Sequence, residues 1–300
     1  MTIDCTLLCA SGAAYNINQQ TGLYTADPVF SKAVNYSADP VPISSAGKLN
    51  ACLVGKNADG ILVAFRGTLP PGEPKSLPDW IQDFLAIQVN GENLPGKVHL
   101  GFVEALDTII ADVIAAVNNL DPANNAVYVT GHSKGGGLAP LAAWLLNHAG
   151  IKVKQVITFA APKPGDVAFK TAYEAAFPNH VRYENFGDLV PLLPPSPDLP
   201  ELIAPLISRI RDVGPEIAQR LQRAAEWEFR PVGTELYIES AKNKFALKTN
   251  EPVADQTGDF FGYLFAHLFG IFPALGDAHT LKCGFGYMSG TCPPEVCAGH

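Results

Sequence analysis

The sequence predicts an α/β fold, with helices packed on a central, mostly parallel sheet. Two observations carry the prediction. Between residues 101 and 186, apolar β-forming runs alternate with segments of helical spacing, the pattern of strand–helix–strand units. Hydrophobic residues make up 47% of the 300 and charged residues 17%, which is enough apolar material for a large core. Length alone suggests about two domains. Because α/β folds of this size often close as one, we read residues 1–300 as a single domain with a helical insertion at about 198–229.

The elements follow in chain order. The opening MTIDCTLLCASGAAYN is apolar but short, contains Asp4 and has no Lys or Arg ahead of it, a poor match to a secretory leader. The expectations are residence inside the cell, export without such a signal, or secretion of an already shortened chain. AGKLNACLVGKNADGILVAFRGT, residues 46–68, reads as a β-hairpin, two apolar runs around a Lys-Asn-Ala-Asp-Gly turn. A Pro-rich loop covers 70–78, and PDWIQDFLA (78–86) reads as a short helix. GFVEALDTIIADVIAAVNNL (101–120) has helical spacing through Phe102, Leu106, Ile109, Ile110, Val113 and Val117. AVYVT is a strand and LAPLAAWLLNHAG a helix stopped by Gly150. KVKQVITFAAP and VRYENF are the next two strands. Residues 198–229 read as two amphipathic helices divided at Gly214-Pro215, and PVGTELYIES (231–240) as a strand. The aromatic run at 260–275 is too short to span a bilayer comfortably and contains Gly270 and Pro273, so no transmembrane segment is expected.

The formal charge of −8 argues against a nucleic-acid partner, which needs a basic face. The six cysteines are scattered, with no CxxC pair and no histidine at ligand spacing, so no metal site is expected. Three of them fall in the last 18 residues. The missing leader favours free thiols, and a local disulfide stays open.

The chemistry is concentrated in VYVTGHSKGGG, residues 127–137. GHSKG fits G-x-S-x-G, and with a strand before it and a helix after it the motif is a nucleophile elbow. Ser133 then sits in a strained turn. Its neighbours at 131 and 135 must be glycine because backbones approach too closely for a side chain. The following helix directs its first N–H groups at developing negative charge. A serine hydroxyl needs a base, and the base needs an orienting acid. In α/β-hydrolases these follow in the order serine, acid, histidine. His279, in the loop GDAHT, is the best-placed base. His148 lies in the next helix, His180 leaves little room for an acid, His267 sits in the aromatic run and His300 is the last residue. Asp188, just past the VRYENF strand, is at the carboxyl end of a parallel sheet where active sites form. Asp198, Asp255, Asp259 and Asp277 are its rivals. The oxyanion donors are the N–H of Lys134, after the nucleophile, and that of Thr68 in AFRGTLPPG.

In this order, FRGT, DWIQDF, VHLGF, VTGHSKGG, ITFAAPKPGD, YENFGDLVPLLPP and DAHTLKCGFGY make the chain resemble the fungal-type (class 3) lipases of the α/β-hydrolase fold, over roughly 60–195 and 231–287. The resemblance implies a Ser133–His279–Asp188 triad and an oxyanion contact from Thr68. It implies a lid helix at DWIQDF, with Trp80 and Phe84 near the acyl chain and Asp83 able to hold the Thr68 hydroxyl. It implies no cofactor, and a lipid or other ester as substrate, met with transient contact at a lipid–water interface. Lys134 departs from the pattern, because a neutral residue is usual there. Its side chain either points away, leaving the N–H to act, or meets a carboxylate or anionic head group. The interval of 91 positions from Asp188 to His279 is also long for the family. The expected activity is carboxylic-ester hydrolysis, with acylglycerol-type lipids first. Short-chain, phospholipase A-type or feruloyl-type ester hydrolysis, acyl transfer, thioester hydrolysis and a catalytically silent lipid- or protein-binding relative stay open.

Overall fold

A computed structural model describes residues 1–68, 87–194, 228–239, 247–249, 278–284 and 286–297. The expected short helix at 78–86, the paired helices of 198–229 up to residue 227 and the aromatic run at 260–275 lie outside these residues.

In chain order the elements begin with helices α1 (Ile3–Ala14) and α2 (Phe30–Val34), then strands β1 (Val41–Ser44), β2 (Ala51–Lys56) and β3 (Ile61–Phe65). A small ribbon follows, β4 (Gln88–Asn90) with β5 (Lys97–His99), and leads into α3 (Leu100–Asp107) and α4 (Ile110–Asn118). Next come β6 (Val127–His132), α5 (Lys134–His148), β7 (Val153–Phe159), α6 (Val167–Ala176) and β8 (Val181–Asn185). β9 (Thr234–Ile238) and β10 (Leu247–Thr249) complete the strands, ahead of helical turns at Met288–Thr291 and Pro294–Cys297.

Eight strands form one sheet in the order β1-β2-β3-β6-β7-β8-β9-β10. The pairs from β3 through β9 are parallel, and the outer pairs are antiparallel. Helices cover both faces, which is why the central strands read as continuous apolar runs rather than alternating ones. One face packs β2, β3 and β6 side chains against Phe102, Leu106, Val113, Leu138 and Leu141 of α3, α4 and α5. The other packs Leu53, Leu62 and Ile157 under α1 and the C-terminal residues Tyr287 and Met288.

Helix α1 is the main difference from the sequence reading. Residues Cys5–Ala14 are all buried, which suits their small side chains, and Ser11 is matched by Thr130 of β6 across a 2.9 Å hydrogen bond. Thr2 caps the helix by accepting from Cys5 N. The expected hairpin of 46–68 is β2–β3, paired antiparallel. The single helix expected at 101–120 is two helices, because the Thr108 hydroxyl donates to Ala105 O at 2.6 Å and ends the first.

The cysteine reading needs correction. Cys5 pairs with Cys292 and Cys283 with Cys297, while Cys9 and Cys52 are free and buried. The first pair spans 287 residues, and it forms because the N-terminal end of α1 lies against the 288–291 turn. Sequence distance hides that contact. Cys9 Sγ is within 4.8 Å of this pair, but the disulfide occupies two of the three sulfurs. Among the described residues no helix is long and apolar enough to cross a membrane.

Candidate active site

The site lies where β3, β6 and β8 end at their carboxyl edges. At the end of β6 the chain turns through Ser133, whose φ of 59° and ψ of −131° lie where side chains are strained. Such a conformation costs roughly 1–3 kcal/mol, so the surroundings must enforce it. They do so by close packing. Ser133 N donates to Phe159 O at 3.0 Å, and Gly136 N donates back to Ser133 O at 2.8 Å as α5 begins. A Cβ on Gly131 would overlap the Gly135 carbonyl, and one on Gly135 would overlap the Phe65 carbonyl. The glycine requirement read from the motif is therefore backbone against backbone.

The loop after β3 is pressed on this turn. A Cβ on Gly67 would overlap the Tyr15 hydroxyl, stand 2.7 Å from His132 O and 3.0 Å from the Ser133 Cβ. Thr68, half-buried, follows directly on this loop, and Lys134 follows Ser133 at the start of α5. Arg66 anchors the loop. Its buried guanidinium donates to Ile17 O and Lys48 O, both at 2.6 Å, and to Leu49 O at 3.1 Å. Lys134 Nζ donates to Asn50 Oδ1 at 2.8 Å. The same short β1–β2 turn is thus held from the loop after β3 and from the start of α5.

Asp188 and His279 meet. His279 Nδ1 is 3.0 Å from Asp188 Oδ1 and 2.9 Å from Oδ2. A carboxylate only accepts, so Nδ1 carries a proton; in the neutral ring that leaves the Nε2 lone pair free, the arrangement a base requires. Asp188 is 6% exposed and takes two more donors, Tyr287 OH to Oδ2 at 2.7 Å and Val190 N to Oδ1 at 3.0 Å. The loop beyond it is clamped by Lys163, whose N donates to Leu193 O at 2.7 Å and whose Nζ donates to Leu192 O at 3.1 Å. Burial pulls the Lys163 ammonium down to about 7, against the attraction of Glu184.

The residue before Ser133 also lies at the site. His132 is 4% exposed, with Nδ1 at 2.7 Å from Tyr15 OH and Nε2 at 2.7 Å from His279 O. Its ring centroid lies 4.6 Å from that of His279. Burial, reinforced by His279, holds its pKa well below the usual histidine value.

Of the residues singled out from sequence, the structure draws Ser133, Lys134, Thr68, Asp188 and His279 to one edge of the sheet. Trp80, Asp83 and Phe84 lie outside the described residues. Sequence reasoning missed Tyr15, Arg66, His132, Lys163 and Tyr287. The only local signals were charged or polar residues inside apolar runs, as in LVAFRGT and FAAPKPG. His180 is a packed core residue, with Nε2 at 3.1 Å from Thr158 Oγ1.

Residues 62–197 match the family described as Lipase (class 3). A Caenorhabditis elegans lipase is 45% identical over 74 residues, covering 24% of this chain and 21% of that protein. The secreted mono- and diacylglycerol lipase 1 of Fusarium solani is 32% identical over 138 residues, covering 45% and 39%. The matches thus span about a fifth to two fifths of these curated relatives. The crystal structure of a mutant of MDLA from Penicillium cyclopium superposes with a TM-score of 0.62 at 19% identity, covering 99% of this chain and 96% of that one. With the sheet order and the strand-to-helix turn at Ser133, this is the α/β-hydrolase fold. Residues 62–197, a little under half of the chain, are what matches the class 3 lipases, and the fold shared with the solved fungal lipases extends over the rest of the described residues.

Proposed function

We propose that this chain is a serine carboxylic-ester hydrolase acting on acylglycerol-type lipid esters. The observation that carries the reading is the His279–Asp188 pair, hydrogen-bonded at 2.9 and 3.0 Å and held against the residue that precedes Ser133. The lipid substrate class is supported by the relatives, one of which is a mono- and diacylglycerol lipase.

In the proposed reaction His279 Nε2 takes the Ser133 proton as Oγ attacks the ester carbonyl. The N–H groups of Thr68 and Lys134 hold the tetrahedral oxyanion, each donor contributing about 100- to 1,000-fold in rate. His279 then protonates the leaving alcohol, and water releases the acid by the same steps in reverse. Asp188 keeps the imidazole in the Nδ1–H tautomer and offsets the imidazolium charge that forms. The Lys134 side chain, engaged with Asn50, supports the reading in which only its N–H acts. Trp80, Asp83 and Phe84 remain the proposed lid and acyl-contact residues of a single domain with a helical insertion at about 198–229.

Hydrolysis of p-nitrophenyl esters from C2 to C16 by the native protein and Ser133→Ala tests this. Activity lost in the variant and rising toward long chains is expected. A peak at short chains would replace the lipase reading with that of an esterase. Equal activity in both proteins would remove Ser133 as nucleophile.

A further inference from the structure

Three consecutive carbonyls around the base are held by side chains or backbone from elsewhere. Ala278 O accepts from Asn185 Nδ2 at 2.8 Å, at the end of β8. His279 O accepts at 2.7 Å from His132 Nε2, at the end of β6. Thr280 O accepts from Tyr287 N at 3.0 Å. We infer that His132 is a positioning residue, which suspends the main chain of His279 from the strand that carries the nucleophile, with its tautomer set by the His279 carbonyl and matched by the Tyr15 hydroxyl.

The tautomer follows by elimination. A backbone carbonyl only accepts, so His132 Nε2 carries the proton. In a neutral ring Nδ1 is then an acceptor, and the Tyr15 hydroxyl, 2.7 Å away, donates to it. A protonated His132 would turn Nδ1 into a donor facing that hydroxyl. Burial opposes this, and the neutral ring can make both bonds at once. Tyr15 in turn lies against Gly67, where a Cβ would overlap its hydroxyl. One chain of contacts therefore runs from the loop after β3, through the last residue of α1's cap and the residue before the nucleophile, to the backbone of the base. The imidazole of His279 is fixed by Asp188 through its side chain and by His132 through its main chain. His132 thus adds a main-chain anchor at the base itself, between the bonds to Ala278 O and Thr280 O. A displacement of about 1 Å at such a group lowers rate about 100-fold.

This role rests on the proposed Ser133–His279–Asp188 reading, and the test separates the two. Steady-state kinetics on a p-nitrophenyl ester would be measured for His132→Leu, His132→Gln and Ser133→Ala, with Tm for each. His132→Leu removes the donor. Its kcat should fall roughly 10- to 100-fold with KM within about threefold. His132→Gln, which keeps an N–H of similar reach, should recover at least about half of that loss on a logarithmic scale. In 15N-histidine NMR of the native protein, His132 should show the Nε2–H tautomer without titrating between pH 5 and 9, a readout that holds even if His132→Leu does not fold. Native-like kcat in His132→Leu, equal losses in Leu and Gln, or an Nδ1–H tautomer would overturn the inference. An active Ser133→Ala would instead overturn the nucleophile assignment.

Discussion

Tyr287 donates its hydroxyl to Asp188 Oδ2 at 2.7 Å, so the carboxylate proposed to orient His279 is itself oriented by a fully buried phenol 99 residues away. The contact keeps the carboxylate plane turned toward His279 Nδ1 and satisfies a lone pair that burial would otherwise leave unpaired. Asp188→Asn should lower kcat by on the order of 10³- to 10⁴-fold, because an amide favours the wrong imidazole tautomer. Tyr287→Phe should lower kcat less and lower stability by about 1.5–3 kcal/mol, the range for a hydrogen bond to a charged group. Steady-state kinetics and urea unfolding of both variants check the ordering. A Tyr287→Phe protein as slow as Asp188→Asn would contradict it.

Gly135→Ala should lower kcat by about 100-fold or more, since a Cβ there meets the backbone of Phe65 and Arg66 and pushes the oxyanion loop off the elbow. Gly47→Ala is the control. Nothing lies within 4 Å of its Cβ, and activity should stay within experimental error. Ester hydrolysis by the two variants, compared at equal folded fraction, decides it.

Acid should destabilise the fold through His180. Burial pulls its pKa down to about 3, helped by Arg182 and Lys170. Its unfolded value is near 6.5. Between these values the unfolded chain binds a proton that the native state refuses, so stability is lost as pH falls below about 6.5 and the loss stops near 3. The slope from this residue approaches about 1.4 kcal/mol per pH unit. His132 acts in the same direction. His180→Phe should flatten the fall in unfolding free energy between pH 6 and 4, as read by urea titrations at each pH. An unchanged slope would mean that His180 is protonated in the native state.

The disulfide from α1 to the C-terminal segment should carry part of the stability. Replacing Cys5 and Cys292 together by Ser should remove about 2–5 kcal/mol, because the closed loop spans 287 residues. A thermal melt of the double variant beside the oxidised native protein measures this. Coincident melts would show that the cross-link adds nothing to what α1 packing supplies.

What was legible in the sequence was local or ordered. The elbow at Ser133 announces itself because its glycines, strand and helix are neighbours in the chain. Asp188 and His279 could be chosen from their rivals because a parallel sheet places the loop after each strand at one edge, and Asp188 follows β8 directly. Tyr15, Arg66, His132 and Tyr287 act through hydrogen bonds to residues from 17 to 147 positions away, and no pattern of periodicity encodes such contacts. The cysteines failed for the same reason. Only the packing of α1 beneath the C-terminal turns brings Cys5 to Cys292. Helix α1 itself was hidden by its small residues, which are apolar on every side and leave no amphipathic stripe.

The central claim is that Ser133 is the nucleophile. The most direct measurement is intact-protein mass spectrometry after a fluorophosphonate reagent, followed by peptide mapping. The account predicts one adduct per chain, on Ser133, with ester hydrolysis lost in proportion to labelling and no adduct on Ser133→Ala. Hydrolysis that persists in a fully labelled protein, or an adduct on another residue that accounts for the loss, would contradict it.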